Sequence, residues 1–349
     1  MVRRRARRGT SRPRRRTAAG LIGRVVRARS RADDTFVERN HVVDFAIDIG
    51  QTQARIRPLG AGGPLGEIRV DGFAYGADLL DTIARIADTA AERIGADVVS
   101  AVAVGSTGLY GRVPPIDDLL ARLHDRFGAR NVVVADDAVT AYLGARGDSD
   151  GVVVAAGTGM VGLGRGPAGA VRVDGAGGMI GDEGAGWWIG RQGLIAAISA
   201  TDGRLPASPA LLARLEKRFG AVEEFPARLA AEAAPVAVVA SFARDVADVA
   251  REGDAVSAEI WRRAGEHIGG VIAAAAARAG LGDGAPWALI GRLTAADDLL
   301  QPGLEARLAE LLPHGIRADA IGEPLDGVAR LLNVDTAGYG PMVREVSMR

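Results

Sequence analysis

Two glycine-rich turns in this sequence have the composition of phosphate-binding loops. Gly50-Gln51-Thr52-Gln53 follows a β-branched run that ends near Asp48, and Gly157-Thr158-Gly159 follows a second such run. Because glycine has no Cβ, the backbone N–H groups of such turns can lie directly against an anion. Apolar runs flank both turns, so each is predicted to join the strands of a hairpin. The same design therefore occurs twice in the chain.

Several carboxylates accompany these turns at predicted strand ends and in a loop. Asp48 ends the first strand, and Asp136 and Asp137 end a later strand where a helix begins. Asp182 and Glu183 lie in a loop that reads G-D-E-G. A positioned carboxylate can accept a hydroxyl proton, and its oxygens suit Mg²⁺. The same residues could instead form turns or cap helices. Of the adjacent pair, Asp136 is expected to be a solvated neighbour.

The composition excludes several kinds of site. The 349 residues include no cysteine, so disulfides, thiolate metal sites and iron–sulfur clusters are excluded. Lys217 is the only lysine and lies in a helical pattern, which excludes a P-loop. The four histidines show no metal-ligand spacing. Backbone amides and Mg²⁺ would therefore have to hold any bound phosphate.

The charge is distributed unevenly along the chain. Residues 1–40 contain 14 arginines and three acids, which leaves 29 basic and 40 acidic residues in 41–349. The basic arm is predicted to be disordered, or to be translated sequence before the true start, with a nucleic-acid-binding arm as the alternative. The acidic body argues against nucleic acid as a partner. No long apolar run indicates a membrane span, and a cytoplasmic location is expected.

The surrounding elements alternate between strands and helices. Strands are predicted at 42–49, 68–72, 98–104, 131–134, 152–154 and 287–290. Helices are predicted at 78–94, 116–127, 138–145, 187–200, 207–219, 236–251, 255–280, 295–312 and 324–332, and the tail after Thr336 is predicted to be unstructured. Asp48, Thr107 and Asp137 follow successive strands. A mostly parallel sheet would gather them at the carboxyl ends of those strands.

These features together resemble a known family. The run G-D-E-G-A-G-W-W-I-G-R at 181–191, with the two turns, is similar to the N-acetylglucosamine kinase and BadF/BadG-type ATPase family of the actin-like ATPase and sugar kinase superfamily. The resemblance implies an α/β fold of two actin-like, ribonuclease H-like domains with a nucleotide cleft between them. The implied order is an arm at 1–40, an N-terminal domain at 41–147, a C-terminal domain at 148–322, a terminal helix at 323–335 that returns to the N-terminal domain, and a tail at 336–349.

The resemblance also implies a role for individual positions. Asp48 would hold Mg²⁺ through water, both turns would bind the phosphates of ATP, and Gly291 would leave room for the adenosine. Asp137 would be the general base. The residues that would bind the sugar are Asp182, Thr107 and Gly177. The implied activity is transfer of the γ-phosphate of ATP to a hydroxyl of an amino sugar or related hexose. A homodimer is one candidate assembly.

The chain departs from the family pattern in several places. Gln51 replaces a glycine of the first turn, Met160 stands where serine is common, and Arg292 replaces a glycine beside the nucleotide. Ala176 stands where the amino-sugar kinases often have tryptophan. N-acetylglucosamine and glucosamine are the first candidates, and another hexose derivative stays open. The alternative from a different class is a non-catalytic regulatory protein that binds nucleotide or sugar.

Overall fold

The computed structural model describes residues 42–51, 53–60, 63–64, 66–73 and 76–348. These residues belong to one compact unit. The basic arm at 1–40 and Thr52 of the first turn lie outside the described residues, so what was predicted for them stays a prediction.

Strands and helices alternate along the described chain. The strands are β1 (Val42–Ile49), β2 (Gln53–Gly60), β3 (Gly63–Pro64), β4 (Ile68–Asp71), β5 (Val98–Ser106), β6 (Asn131–Asp136), β7 (Gly151–Ala156), β8 (Met160–Gly166), β9 (Gly169–Asp174), β10 (Pro286–Ile290), β11 (Ile316–Arg317) and β12 (Val343–Ser347). The α-helices are α1 (Leu79–Ile94), α2 (Asp117–Phe127), α3 (Asp137–Arg146), α4 (Gly186–Asp202), α5 (Pro209–Phe219), α6 (Phe225–Ala231), α7 (Pro235–Ser241), α8 (Ala243–Arg251), α9 (Ala255–Arg278), α10 (Asp297–Leu311) and α11 (Pro324–Arg330). Short 3₁₀ helices span Val222–Glu224, Arg292–Ala296 and Ala337–Met342.

The first sheet is built mainly from the strands that precede α3. In it β1 pairs antiparallel with β2 and parallel with β5, while β5 pairs parallel with β6 and β4 pairs antiparallel with β2. The register places Ile49 beside Ser106 and Ser106 beside Asp136. The carboxyl ends of three parallel strands therefore lie side by side, which confirms the predicted gathering of strand ends.

The second sheet repeats the arrangement of the first. Its order is β11-β10-β7-β8-β9, with β7 antiparallel to β8, β8 antiparallel to β9, and β7, β10 and β11 parallel. The strands β1, β2, β4, β5 and β6 correspond to β7, β8, β9, β10 and β11. This duplication confirms the predicted fold class of two actin-like halves.

Two helices pack between the sheets. These helices are α3 and α11, which share one core with Ala103 of the first sheet and Val153 of the second. Residues from Ala138 to Ala145 of α3 are therefore all buried. Such a helix is apolar on every side. Glycines let α3 and α11 approach closely, since a Cβ at Gly327 would lie 1.9 Å from the carbonyl oxygen of Thr140. The outer faces of the sheets have separate cores, with α1 and α2 on the first and the helices from α4 to α10 on the second.

Two predictions about the elements are wrong. The tail after Thr336 is ordered: it forms a 3₁₀ helix that buries Tyr339, and β12, which pairs antiparallel with β6. The helix predicted at 236–251 is divided at the buried Phe242 into α7 and α8. Strand β9 was not among the predicted elements, although Val171-Arg172-Val173-Asp174 alternates between apolar and polar residues. None of the described helices has the length and apolar character needed to cross a membrane.

Candidate functional site

The first glycine turn is held by its own hairpin and by a neighbouring segment. The Gly50 N–H donates to the Gln53 carbonyl at 3.0 Å, and the Phe73 N–H donates to the Gly50 carbonyl at 2.9 Å. A Cβ at Gly72 would lie 2.2 Å from the Gly50 oxygen, so only glycine allows this approach. Gln51 at the tip is exposed. Hydrogen bonds at Gly50 thus hold the backbone of this turn, and the side chain of Gln51 is accessible to a ligand.

Asp48 lies beside this turn and carries an ion pair that the sequence did not reveal. Its cross-strand partner is Arg55, whose Nη2 donates to Asp48 Oδ2 at 2.8 Å. The same guanidinium donates through Nη1 to Glu323 Oε2 at 2.6 Å. Burial raises the pKa of Asp48 above its ordinary value, and Arg55 opposes that rise. The carboxylate that the resemblance assigns to Mg²⁺ is therefore shared with an arginine.

The second glycine turn is joined to the start of α4. The Gly157 N–H donates to the Gly159 carbonyl at 2.8 Å, which closes the turn. From α4, the N–H groups of Gly186 and Trp187 donate to the carbonyls of Gly157 and Thr158, each at 2.9 Å. Thr158 is exposed at the tip. The carbonyls of this turn are thus occupied by the helix, and its exposed tip is available to a ligand.

Asp182 lies directly against the second turn. Its Oδ1 accepts a hydrogen bond from the Met160 N–H at 3.2 Å, and its own N–H donates to Asp174 Oδ1 at 3.0 Å. Only 9% of the residue is exposed, and burial raises the pKa of its carboxyl. Asp182 has a φ of 59°, which is unusual for a residue other than glycine. The structure thus places this predicted sugar ligand at the second glycine turn.

Asp136 is a buried structural carboxylate, and the expectation of a solvated neighbour is wrong. It is fully buried and caps α3, since its Oδ1 accepts from the Ala138 N–H at 3.1 Å. Its Oδ2 accepts from the Gly111 N–H at 2.8 Å, and Oδ1 also receives Arg172 Nε at 3.3 Å. The capping role that was weighed for Asp137 therefore belongs to Asp136.

Asp137 is the carboxylate of the pair that lies at the carboxyl ends of β1, β5 and β6. It is half-buried and lies near Thr107, whose own N–H donates to the Ile49 carbonyl at 3.0 Å. Burial raises the pKa of Asp137 to about 7, and the charge of Asp136 adds to the rise. Arg172 and Thr107 act in the opposite direction. A carboxyl group that titrates near neutral pH is suited to proton transfer.

The remaining predicted positions are glycines with left-handed backbones. Gly291 has a φ of 98°, and a Cβ there would lie 2.4 Å from the Ala156 carbonyl oxygen, so the end of β10 lies closely against the end of β7. Gly177 has a φ of 84°, and its carbonyl accepts from the N–H groups of Ile180 at 3.1 Å and Gly181 at 2.8 Å. Each glycine shapes a loop beside the second turn.

The predicted residues form two groups. Asp48, Thr107 and Asp137 lie together at the strand ends of the first sheet, and Asp182 lies with the second turn. None of the hydrogen bonds among the described residues joins the first turn directly to the second. Arg172 of β9 connects the two groups. It could not be found from the sequence, because an arginine in a short strand belongs to no motif.

Comparison with known proteins places the chain in a family. The model of the BadF/BadG/BcrA/BcrD ATPase family matches residues 73–294, which is more than half of the chain. The chain belongs to this family. The match includes Asp137, the second turn and the G-D-E-G loop, so the resemblance drawn from these motifs is confirmed.

Solved structures share the fold. A candidate N-acetylglucosamine kinase from Chromobacterium violaceum is 25% identical, with a TM-score of 0.67 over 84% of this chain and 100% of that one. A candidate N-acetylglucosamine kinase from Porphyromonas gingivalis is 18% identical, with a TM-score of 0.63 over 83% and 99% of the two chains. A ROK family glucokinase from Streptomyces griseus, solved with glucose and AMPPNP, is 19% identical, with a TM-score of 0.52 over 83% and 98%. The last two show the fold alone. A search of curated proteins found no match.

Proposed function

We propose that this member of the BadF/BadG/BcrA/BcrD ATPase family is an ATP-dependent sugar kinase that phosphorylates a hydroxyl of an amino sugar or related hexose. N-acetylglucosamine and glucosamine are the first candidates, as the similarity to the Chromobacterium protein suggests. The observation that carries the proposal is Asp137, a half-buried carboxylate with a pKa raised to about 7 that stands beside Thr107 at the shared strand ends.

The proposed reaction needs little covalent chemistry from the protein. The acceptor hydroxyl oxygen attacks the γ-phosphorus of ATP. The bond between the γ-phosphorus and the β-γ bridging oxygen breaks, and ADP leaves. Asp137 accepts the hydroxyl proton as the new P–O bond forms, since a carboxylate within hydrogen-bond distance can do so mainly by its position. Because Asp136 is held by the helix cap and by Arg172, Asp137 is the one of the pair that can act.

Binding of the phosphates would depend on the backbone of the two turns. Lys217, the only lysine, lies in α5 and away from both turns in the sequence, so no lysine of a P-loop can serve. The exposed tips at Gln51 and Thr158 belong to the two different sheets. A nucleotide held by both turns would therefore join the two halves.

Mg²⁺ fits the residues that are present. Among the described residues no cluster of three or more His, Cys, Asp or Glu side chains could hold a metal ion alone. Mg²⁺ commonly uses one or two carboxylates together with water and substrate phosphates, and Asp48 beside the first turn is such a carboxylate. When bound, the ion neutralises charge on the phosphate oxygens.

The ion pair between Asp48 and Arg55 favours a second candidate function. An arginine that already neutralises the metal-binding carboxylate is compatible with a regulatory protein that binds nucleotide or sugar without catalysis. Such a protein would show a higher melting temperature with ATP or sugar, because ligands stabilise the folded state to which they bind. It would release no ADP.

A coupled ADP-release screen tests the proposed function. The wild-type protein is incubated with Mg·ATP and, separately, N-acetylglucosamine, glucosamine, N-acetylmannosamine and glucose. We expect sugar-dependent ADP release with at least one amino sugar and loss of that release in Asp137→Asn. The matched control is Asp97→Asn, because Asp97 is exposed and precedes β5 at the opposite end of the sheet. Thermal stabilisation by ligands without any sugar-dependent ADP would support the regulatory alternative.

A further inference from the structure

Arg172 lies on the second sheet but reaches the strand ends of the first. It belongs to β9, and its Nε atom donates to Asp136 Oδ1 at 3.3 Å. Only 17% of the arginine side chain is exposed, and the Asp136 side chain is fully buried. Removing one partner of a buried ion pair lowers the stability of the folded protein, because the other charge is left buried without a partner. The contact therefore constrains both sheets.

The other nitrogens of the same guanidinium hold the loop after β9. Nη1 donates to the Asp174 carbonyl at 2.7 Å and Nη2 to the Gly175 carbonyl at 3.0 Å. The carboxylate of Asp174 accepts from the Asp182 N–H, and Asp182 accepts from the Met160 N–H at the second turn. A continuous series of hydrogen bonds thus runs from Asp136 to the second glycine turn.

The backbone around Arg172 is shaped to admit this side chain. Gly111 and Gly175 both have left-handed backbones, with φ values of 81° and 70°. A Cβ at Gly111 would lie 3.3 Å from Arg172 Cδ, and a Cβ at Gly175 would lie 2.5 Å from Nη2. Gly111 also donates its N–H to Asp136. Two loops from different sheets therefore enclose one guanidinium.

We propose that Arg172 is a positioning residue that fixes the Asp136–Asp137 pair relative to the second glycine turn. The proposal rests on the proposed kinase function, in which the proton acceptor and the phosphate-binding turn must be held at a set separation. A displacement of about 1 Å in such an arrangement can cost roughly 10²-fold in rate. Arg172 acts through Asp136 and the loop, and it need not touch the substrate.

Arg172 also controls the charge that Asp137 experiences. The charged groups that face Asp137 are Asp136 at the end of β6 and Arg172 from β9, and Thr107, which follows β5, offers a hydroxyl. Because an opposite charge nearby favours the ionised carboxylate, loss of the guanidinium should raise the pKa of Asp137 further. This effect separates the proposed role from a purely structural one.

Variants of Arg172 test the proposal by their pH profiles. Arg172→Gln removes both the charge and the donors, and we expect kcat/KM to fall roughly 10²-fold and its acidic limb to move to higher pH. Arg172→Lys keeps the charge but not the planar fork of donors, so its kcat should fall while the limb stays near its wild-type position. The control is Arg165→Gln on neighbouring β8, which is similarly buried and pairs with Asp148. Wild-type rates and profiles in both Arg172 variants would overturn the proposal.

A measurement without turnover keeps the proposal separate from the kinase function. The pKa of Asp137 can be followed by ¹³C NMR of protein labelled at the aspartate carboxyl carbon, with Asp137→Asn used for assignment. We expect a higher pKa in Arg172→Gln and a value close to wild type in Arg172→Lys and Arg165→Gln. An unchanged pKa of Asp137 in Arg172→Gln would show that Arg172 does not influence the ionisation of Asp137, and it would refute that part of the proposal. A wild-type protein that makes no ADP with any sugar would refute the proposed function, while this comparison would still decide the role of Arg172.

Discussion

Gly159 and Asp182 are in such close contact that a Cβ at position 159 would lie 2.7 Å from Asp182 Oδ2. The second glycine turn and the G-D-E-G loop, 23 residues apart at these positions, therefore form one unit. The close approach of the Asp182 carboxylate is enough to require glycine at position 159, whether or not a phosphate binds there. In the proposed reaction, the Asp182 carboxylate would bring an acceptor hydroxyl towards the γ-phosphate at the second glycine turn.

Gly159→Ala should disrupt this unit. The added methyl group must displace the Asp182 carboxylate, so we expect a loss of about 1–3 kcal/mol of stability and weaker nucleotide binding. Thermal or urea unfolding and nucleotide titration measure the two effects. Gly270→Ala in α9 is the control, because a Cβ there has no neighbour within 4 Å and alanine favours a helix by about 1 kcal/mol. Equal stability of the two variants would contradict the close contact.

The raised pKa of Asp137 should make the wild-type protein less stable as the pH rises. A carboxyl whose pKa is higher in the folded state binds more protons there than in the unfolded chain. Stability therefore falls between the ordinary carboxyl value and about 7. Asp137→Asn lacks this titration, so its stability relative to wild type should increase over that range. Chemical denaturation of both proteins at several pH values measures the difference. A difference that does not change with pH would show that the carboxyl ionises normally.

The last segment of the chain should contribute to stability through Tyr339. Its ring is buried, with 1% exposed, but its hydroxyl has no hydrogen-bond partner among the described residues. Tyr339→Ala should cost about 3–5 kcal/mol, as for other buried aromatic residues. Tyr339→Phe should be close to neutral, because it removes only the unpaired hydroxyl. Denaturant unfolding distinguishes the two variants, and a wild-type midpoint in Tyr339→Ala would mean that the segment does not dock.

The sequence was sufficient for the features that depend on local pattern. The two glycine turns, the hairpins and the strand ends at Asp48 and Asp137 follow from apolar runs and turn residues close to one another in the chain. Duplication of the hairpin was visible for the same reason, and it predicted the two halves of the fold. Strand β12 was not visible, since its pairing with β6 joins residues about two hundred positions apart.

The sequence could not predict which of two adjacent carboxylates caps α3 and which faces the strand ends. Asp136 and Asp137 have the same chemistry and stand one residue apart, so only the fold decides which one caps α3. That decision depends on Gly111, in the loop after β5, and on Arg172 of β9. The ion pair of Arg55 with Asp48 was missed because it depends on the strand register that places the two residues opposite each other.

The kinetics of Asp137→Asn test the central claim most directly. With the sugar that gives the fastest ADP release, kcat and both KM values are measured for wild type, Asp137→Asn and the control Asp97→Asn. Because asparagine keeps the size of the side chain but cannot accept the hydroxyl proton, we expect kcat to fall by roughly 10²–10⁴, with the KM for ATP little changed. The control should match wild type. An Asp137→Asn enzyme with the wild-type kcat would contradict the account.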